Sequence, residues 1–395
     1  MYKRQPITTS VKETAGGLPA VISAWKHGVS KMGFVGSTVS LGKANQKRGF
    51  DCPGCAWPDP KHRSPFEYCE NGAKAISDEA TIKTIPDSFW QEHSIHALGR
   101  KSDQWLNSQG RLSRPLILER DSNHYVPSDW DRAIGIIAKS LDALEDPNDA
   151  YFYTSGRASN EAAYLWQLLA RQYGTNNLPD CSNMCHESSG VALNESIGIG
   201  KGTVRLEDFD KADLIVIVGQ NPGTNHPRML SALKSAKKSG ASVLSINPLK
   251  ETGMRRFRHP QSPIDMLGAG TQISDDHVNI KINGDMALFR AIGSIILDTG
   301  SHDPDFINLN TTGFLDYAKI AQKIDWDLIE HLTGQDRGRI NEISDYFCRS
   351  RRTIVCWAMG ITQHKNSVNT IREIMNVLLL KGDIGREGSG PVSYT

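Results

Sequence analysis

Apolar and polar positions change rhythm along this chain, and the changes lay out its elements. The stretch "ADLIVIVGQNPGTNHPRMLSALKSAKKSGASVLSINP" holds an unbroken apolar run, a Gly/Pro/Asn loop, a helical segment, a glycine stop at Gly240 and a second apolar run. A strand that is apolar at every position is covered on both faces, so the stretch predicts a βαβ crossover in a parallel sheet. Two further strand-then-helix units follow, "HVNIKINGDMALFRAIGSIIL" and "RTIVCWAMGITQHKNSVNTIREIMNVLLLKG". The predicted architecture is a doubly wound α/β fold.

Upstream, "DAYFYTSG" predicts a strand, and "SNEAAYLWQLLARQYG" an amphipathic helix with Ala162, Leu165, Leu168 and Leu169 at helical spacing and a stop at Gly174. Before it, "GRLSRPLILERDSNHYVPSDWDRAIGIIAKSLDAL" predicts two short strands around a polar turn at Asp121 to Asn123, then a helix capped by Ser128 or Asp129. A helical stretch around "SDEATIKTIPDSFWQEHSIHALG" is interrupted at Pro86. The first forty or so residues have weak periodicity and are expected to lie over the surface as an extension.

Composition narrows the function classes. The chain has 395 residues, 38% of them hydrophobic and 23% charged, which suits a globular protein of two or three domains. Its 45 basic and 44 acidic residues give a formal charge of +1, so no long-range field favours nucleic acid or a membrane surface. No apolar run approaches the roughly 18 residues of a membrane span, and the first residues carry no export signal. The expected compartment is cytoplasmic, where clustered cysteines bind metal more often than they pair.

Three of the seven cysteines, Cys52, Cys55 and Cys69, fall in "DCPGCAWPDPKHRSPFEYC". With His62 they would make a Cys3His zinc site. With an oxygen ligand from Asp59, four residues after Cys55, they would equally hold an iron-sulfur cluster. Cys181 and Cys185 stand four residues apart, and His186 follows the second, pairing a thiolate ligand with a group that takes up protons near neutral pH. Cys348 and Cys356 flank or occupy an apolar strand and are expected to be buried filler.

Ligands of doubly wound sheets sit beyond the carboxyl ends of the strands. "GQNPGTNHP" lies at such an end and offers backbone amides and the polar groups of Asn221, Thr224, Asn225 and His226. With only Gly219 and Gly223 it is no GxGxxG fingerprint, so a nicotinamide dinucleotide is not expected. "SINPLKETG" ends the next strand and brings Asn247, Lys250, Glu251 and Thr252 to the same region.

The order of these stretches, from the cysteine segment through "GRLSRPL…WDRAI", "SNEAAYLWQLLARQYGTNN", the Cys-His loop, "GQNPGTNHP" and "SINPLKETG" to "MGITQH…NVLLLKGDIGREGSG", resembles the molybdopterin-dependent oxidoreductases of the formate dehydrogenase type. Within them the chain resembles the YdeP-type oxidoreductase branch. The resemblance runs from about residue 16 to residue 390.

It implies a formate dehydrogenase/DMSO reductase-like α/β fold with a small N-terminal iron-sulfur segment. The domains expected are an N-terminal extension (1–46), the iron-sulfur segment (47–110), a first α/β domain (111–180, completed by 360–395) and a Rossmann-like domain (181–359). Cys185 is implied as the molybdenum ligand and His186 as the catalytic histidine beside it. Gly219, Asn221, Pro222, Thr224 and His226, with Asn247, Lys250 and Glu251, are implied to hold the guanosine end of a molybdopterin guanine dinucleotide, while Gly360, Gln363 and His364 line the cofactor. Cys52, Cys55 and Cys69 are implied as ligands of a 4Fe-4S cluster, with Asp59 where the family carries a further cysteine. The cofactors implied are therefore a 4Fe-4S cluster and molybdenum bis(molybdopterin guanine dinucleotide), and the partners a small-molecule substrate and an electron-transfer protein.

Two departures shape the expectation further. Glu187 and Ser188 replace the Gly-Pro that follows the cysteine-histidine pair, which implies a pocket unlike that for formate. Family members also run on for several hundred residues, so the chain reads as an N-terminal half with an exposed apolar face on its sheet. A noncatalytic electron-transfer or scaffold relative without molybdenum is the alternative.

Overall fold

A computed structural model describes residues 12–55, 57–156 and 158–393 of the chain. The strands in chain order are β1 (Ala15–Gly16), β2 (Leu116–Leu118), β3 (Tyr125–Pro127), β4 (Leu214–Val218), β5 (Ser242–Ile246), β6 (Arg256–Arg258), β7 (Thr271–Gln272), β8 (Asp276–Val278), β9 (Thr353–Trp357) and β10 (Gly390–Ser393). The chain divides into two compact units. One comprises the described parts of Met1–Val21, Cys55–Ser64 and Ser182–Thr395; the other is Ile22–Gly54 with Pro65–Cys181.

The first unit is built on a five-stranded sheet in the order β10-β9-β4-β5-β8, with every neighbouring pair parallel. The continuous apolar runs of the sequence are its central strands. Leu214, Val216 and Val218 of β4 face one core, together with Leu244, Ile246, Val355 and Trp357 and the helices Asp285–Asp298 and Ser367–Leu380. Ile215 and Ile217 face the opposite core, with Val243, Ile354 and Cys356 and the helix Met229–Lys238. Both faces of the sheet are thus covered by apolar side chains, and each fully buried Leu, Ile or Val contributes about 1.5–3 kcal/mol. β4 and β5 run on toward β8 in one direction, whereas β9 and β10 lie on the other side of β4. In doubly wound sheets ligands are expected where the strand order reverses in this way, here at the carboxyl ends of β4 and β9. A small second sheet, β1-β6-β7, joins the start of the chain to the segment after β5.

The second unit is mostly helical. The predicted hairpin is present, with Leu116 to Leu118 antiparallel to Tyr125 to Pro127. The Asp129 side chain accepts from the Arg132 amide to cap the helix Trp130–Asp142. Ser159 caps the helix Asn160–Tyr173, which ends on Gly174 at φ 110°. Pro86 stands just before the helix Asp87–Glu92, separating it from the helix Glu70–Glu79.

Three expectations are corrected. The N-terminal stretch is no surface extension where it is described. Residues Gly17–Lys43 are helical with a kink at Gly33 (φ 73°), and Ala24 and Leu41 are buried against Ala73 and Ile76. The kink divides the apolar pattern between two helical segments, which is why no single period stood out; residues 1–11 lie outside the described residues. "DAYFYTSG" is not a strand: it contributes one bridge, Thr154 with Asp180, and two backbone bonds to Asn177 and Pro179. The apolar face left open is on helices and not on the sheet. Leu165 of the helix Asn160–Tyr173 is 64% exposed, and Trp130 of the helix Trp130–Asp142 is 65% exposed.

Candidate functional site

Three polar loops follow β4, β5 and β9, and the sheet order makes those strands neighbours. The loops meet backbone to backbone. Gly219, at φ 54°, leaves β4 with its amide donating to the Ile246 carbonyl, and its own carbonyl accepts from the Gly360 amide at 3.1 Å. A Cβ on Gly360 would lie 2.3 Å from the Gly219 oxygen, and one on Gly223 would lie 2.9 Å from Gly253 Cα. Glycine is required at these crossings because a side chain would part the loops.

The loop after β4 differs in detail from its expected form. Pro222–Asn225 make one separate helical turn before the helix Met229–Lys238. Asn221 uses its side chain to cap that turn at the Thr224 amide. The Asn247 amide side chain donates to the Gln220 carbonyl at 3.3 Å, tying the loop after β5 to the loop after β4. Lys250 is exposed and Glu251 half-buried at the start of the turn Thr252–Arg255.

Cys185 and His186 join this end of the sheet. Gln363, in the loop after β9, donates to the Met184 carbonyl at 3.0 Å and the Cys185 carbonyl at 3.5 Å. Ser188 donates to the Thr362 carbonyl. His186 is buried, with Nδ1 3.0 Å from the Ser393 hydroxyl of β10 and 3.4 Å from Ser189 Oγ, which accepts from the Trp357 indole at the end of β9. Its Nε2 is buried without a hydrogen-bond partner. Burial holds the His186 and His364 imidazoles below the usual histidine range. His226, with Nδ1 3.3 Å from Gln220 Nε2, is pushed down to about 4 by burial and then by the His186 imidazole.

Ser189, Ser393, Trp357 and Gln220 were not singled out in the sequence. Gln220 lies inside "GQNPGTNHP" and was legible there, but Ser393 is 207 positions from His186 and only the strand order brings it near.

Of the cysteines of the first motif, Cys52 and Cys69 belong to the helical unit and Cys55 to the sheet unit. In the helical unit Cys52 and Cys69 both approach Gly72, where a Cβ would stand 2.9 Å from Cys52 Sγ and 3.6 Å from Cys69 Sγ. Each sulfur accepts a backbone N–H, Cys52 from Gly54 and Cys69 from Gly72, both at 3.3 Å. Amide donors and a glycine-lined cradle suit thiolates bound to a metal group. In the sheet unit Cys55 packs against the core that contains Trp57 and Phe209. There too, Asp59 accepts from Arg228 at 2.9 Å and pairs with Arg63 at 3.2 Å. Among the described residues no group of three or more His, Cys, Asp or Glu is gathered as a metal site. Cys356 is fully buried, as expected of filler, and burial pushes its thiol far above the ordinary value. Cys348 is half-buried beside the core.

Among the described residues no helix is long and apolar enough to cross a membrane. Comparison with known proteins agrees with the sheet and its loops. An oxidoreductase of Mycobacterium bovis described as uncharacterized is 47% identical over 397 residues, which is 98% of this chain and 51% of that protein. Protein YdeP of Escherichia coli is 44% identical over 392 residues, 96% of this chain and 52% of that protein. Formate dehydrogenase H of Escherichia coli is 28% identical over 285 residues, 71% of this chain and 38% of that enzyme. The chain spans about half the length of the curated relatives it matches over nearly its whole extent. Among solved structures, acetylene hydratase from Pelobacter acetylenicus shares the fold with a TM-score of 0.58 at 19% identity, over 70% of this chain and 36% of the other. The family model described as molybdopterin oxidoreductase matches residues 111–395, and the chain belongs to that family.

Proposed function

We propose that the chain is part of a molybdopterin guanine dinucleotide-dependent oxidoreductase of formate dehydrogenase type, acting on a small molecule. The observation that carries this reading is the meeting of three glycine-crossed loops with Cys185 and His186 at the carboxyl ends of β4, β5 and β9. A molybdenum pterin bound there supplies two-electron redox chemistry, and a 4Fe-4S cluster supplies one-electron transfer to an outside partner.

The residues of the chain then have distinct tasks. Gly219, Asn221, Pro222, Thr224 and His226, with Asn247, Lys250 and Glu251, hold the guanosine end of the cofactor. Gly360, Gln363 and His364 line it, and the Cys185 thiolate ligates the metal. His186, fixed through Nδ1 by the Ser393 hydroxyl, keeps Nε2 for the proton released by substrate. Cys52, Cys55 and Cys69 are the cluster thiolates of this reading. The finer domain division, with 1–46 leading into an iron-sulfur segment at 47–110 and α/β domains at 111–180 and 181–359, belongs to the same proposal.

The test is elemental analysis for molybdenum, iron and zinc on protein purified without oxygen, with electron paramagnetic resonance after reduction. Molybdenum that is retained by the parent chain and lost in Cys185→Ser supports the reading. Zinc alone, or molybdenum indifferent to Cys185, overturns it.

A further inference from the structure

The charge of the whole chain hides a local excess. Residues 22–50 hold Lys26, Lys31, Lys43, Lys47 and Arg48 and no Asp or Glu, in a chain whose formal charge is only +1. All of this stretch belongs to the helical unit. Asp78 neutralises part of it, meeting His27 at 3.0 Å and Lys31 at 3.4 Å. Lys26, Lys43, Lys47 and Arg48 are exposed, and none of them forms an ion pair among the described residues. The Phe50 amide donates to the Lys43 carbonyl at 3.3 Å, so the turn that carries Lys47 and Arg48 closes back on Lys43.

The same stretch carries an apolar tip. At Gly33 (φ 73°) the helix Gly17–Lys43 breaks, and Gly28 comes so near the second segment that a Cβ there would stand 3.1 Å from Ser37 Oγ. Ala24 and Leu41 fill the small core beneath, with Ala73 and Ile76. Phe34 and Val35, just past the break, are left 69% and 73% exposed, and the exposed Val39 follows one turn on toward Lys43. Phe34 is nonetheless held in place, its ring stacked on Trp25 at 6.0 Å.

Charge separates this face from the other apolar faces of the unit. In the helix Trp130–Asp142, Arg132 and Lys139 are balanced by Asp131 and Asp142. Side chains as exposed as Phe34 and Val35 at a helix break project outward and do not line a groove. A projecting apolar tip flanked by unpaired cations fits a surface that is anionic outside and hydrocarbon within, which is the chemistry of an acidic lipid interface. We propose that the segment Gly33 to Val39, with Lys26, Lys43, Lys47 and Arg48, is a peripheral docking face for an anionic phospholipid bilayer. Phe34 and Val35 enter the interface, and the cations meet headgroup phosphates. This face is independent of the cofactor reading.

The 395-residue chain is sedimented at low and high salt with vesicles of phosphatidylcholine alone, and of phosphatidylcholine and phosphatidylglycerol in equal parts. Wild type is compared with Phe34→Gln/Val35→Gln, with Lys43→Gln/Lys47→Gln/Arg48→Gln and, as a control on another apolar face, with Ile137→Gln/Leu165→Gln. Expected is binding to the anionic vesicles that weakens as salt is raised. It should fall on the order of a hundredfold in the triple form, at about fivefold per cation, and about tenfold in Phe34→Gln/Val35→Gln. The control should bind as wild type does. Because all the substituted positions are exposed, thermal midpoints should stay near that of wild type. Equal binding to neutral and anionic vesicles, or a loss in the control matching that in Phe34→Gln/Val35→Gln, overturns the proposal by showing unspecific apolar adhesion. Absence of vesicle binding at low salt overturns it as well, and leaves the face to an acidic protein.

Discussion

His226 is 6% exposed, and its imidazole sits near pKa 4 against an ordinary value of about 6.5. As the pH falls the unfolded chain takes the proton first, so the stability contributed by the neutral ring is whole above about pH 6.5 and is lost toward pH 4. The linked loss is on the order of 3 kcal/mol across that window. Asp285, 4% exposed at the start of the helix Asp285–Asp298, has the opposite sign. Burial raises its carboxyl to about 6, so stability is gained as the pH falls from 6 toward the ordinary carboxylate range. Urea midpoints at pH 7.5, 5.5 and 4.5 separate the two: His226→Gln should remove a loss seen on acidification, and Asp285→Asn should stabilise the chain at pH 7.5 with a smaller gain at pH 4.5. A His226→Gln profile parallel to wild type would show that the imidazole is not held neutral. Residue identity alone announced His226 as polar and near a strand end; its depressed basicity comes from the covering side chains and from His186, which is 40 positions away.

Between elements, the decisive contact is that of the loops after β4 and β9. Gly360→Ala would press a methyl group into the Gly219 carbonyl, and the two loops would have to part. Overpacking of this kind costs about 1–3 kcal/mol. The expected outcome is a lower denaturant midpoint; an unchanged midpoint would mean that the loops are not in backbone contact. The elements of the sheet unit were readable because continuous apolar runs admit few alternatives, and Gly240 and the short polar loops marked their ends. "DAYFYTSG" was misread for a complementary reason. Its aromatic residues satisfy strand propensity, but its hydrogen-bond partners in 177–180 are too few to extend a ladder beyond one bridge.

At the scale of the whole molecule, the helix Trp130–Asp142 exposes Trp130, Ile134 and Ile137, and the helix Asn160–Tyr173 exposes Tyr164, Leu165 and Leu168. Such surface should bind 8-anilinonaphthalene sulfonate in the native state, and Ile137→Lys with Leu165→Lys should reduce the fluorescence without lowering the thermal midpoint. Absence of dye binding would show that these faces are covered in solution. The amphipathic pattern of the helix Asn160–Tyr173 was plain in the sequence, yet a pattern states only that a face is apolar and not what meets it. By itself the sequence determined the order of elements in the sheet unit, the parallel βαβ unit and which polar side chains stand at each strand end, because period, breakers and side-chain type are short-range properties. Tertiary structure alone decided that β9 lies beside β4, that Ser393 holds His186, and that Asp59 is bound by arginine. Those relations join residues far apart in the chain, and packing and charge pairing select them only when the whole sheet has formed.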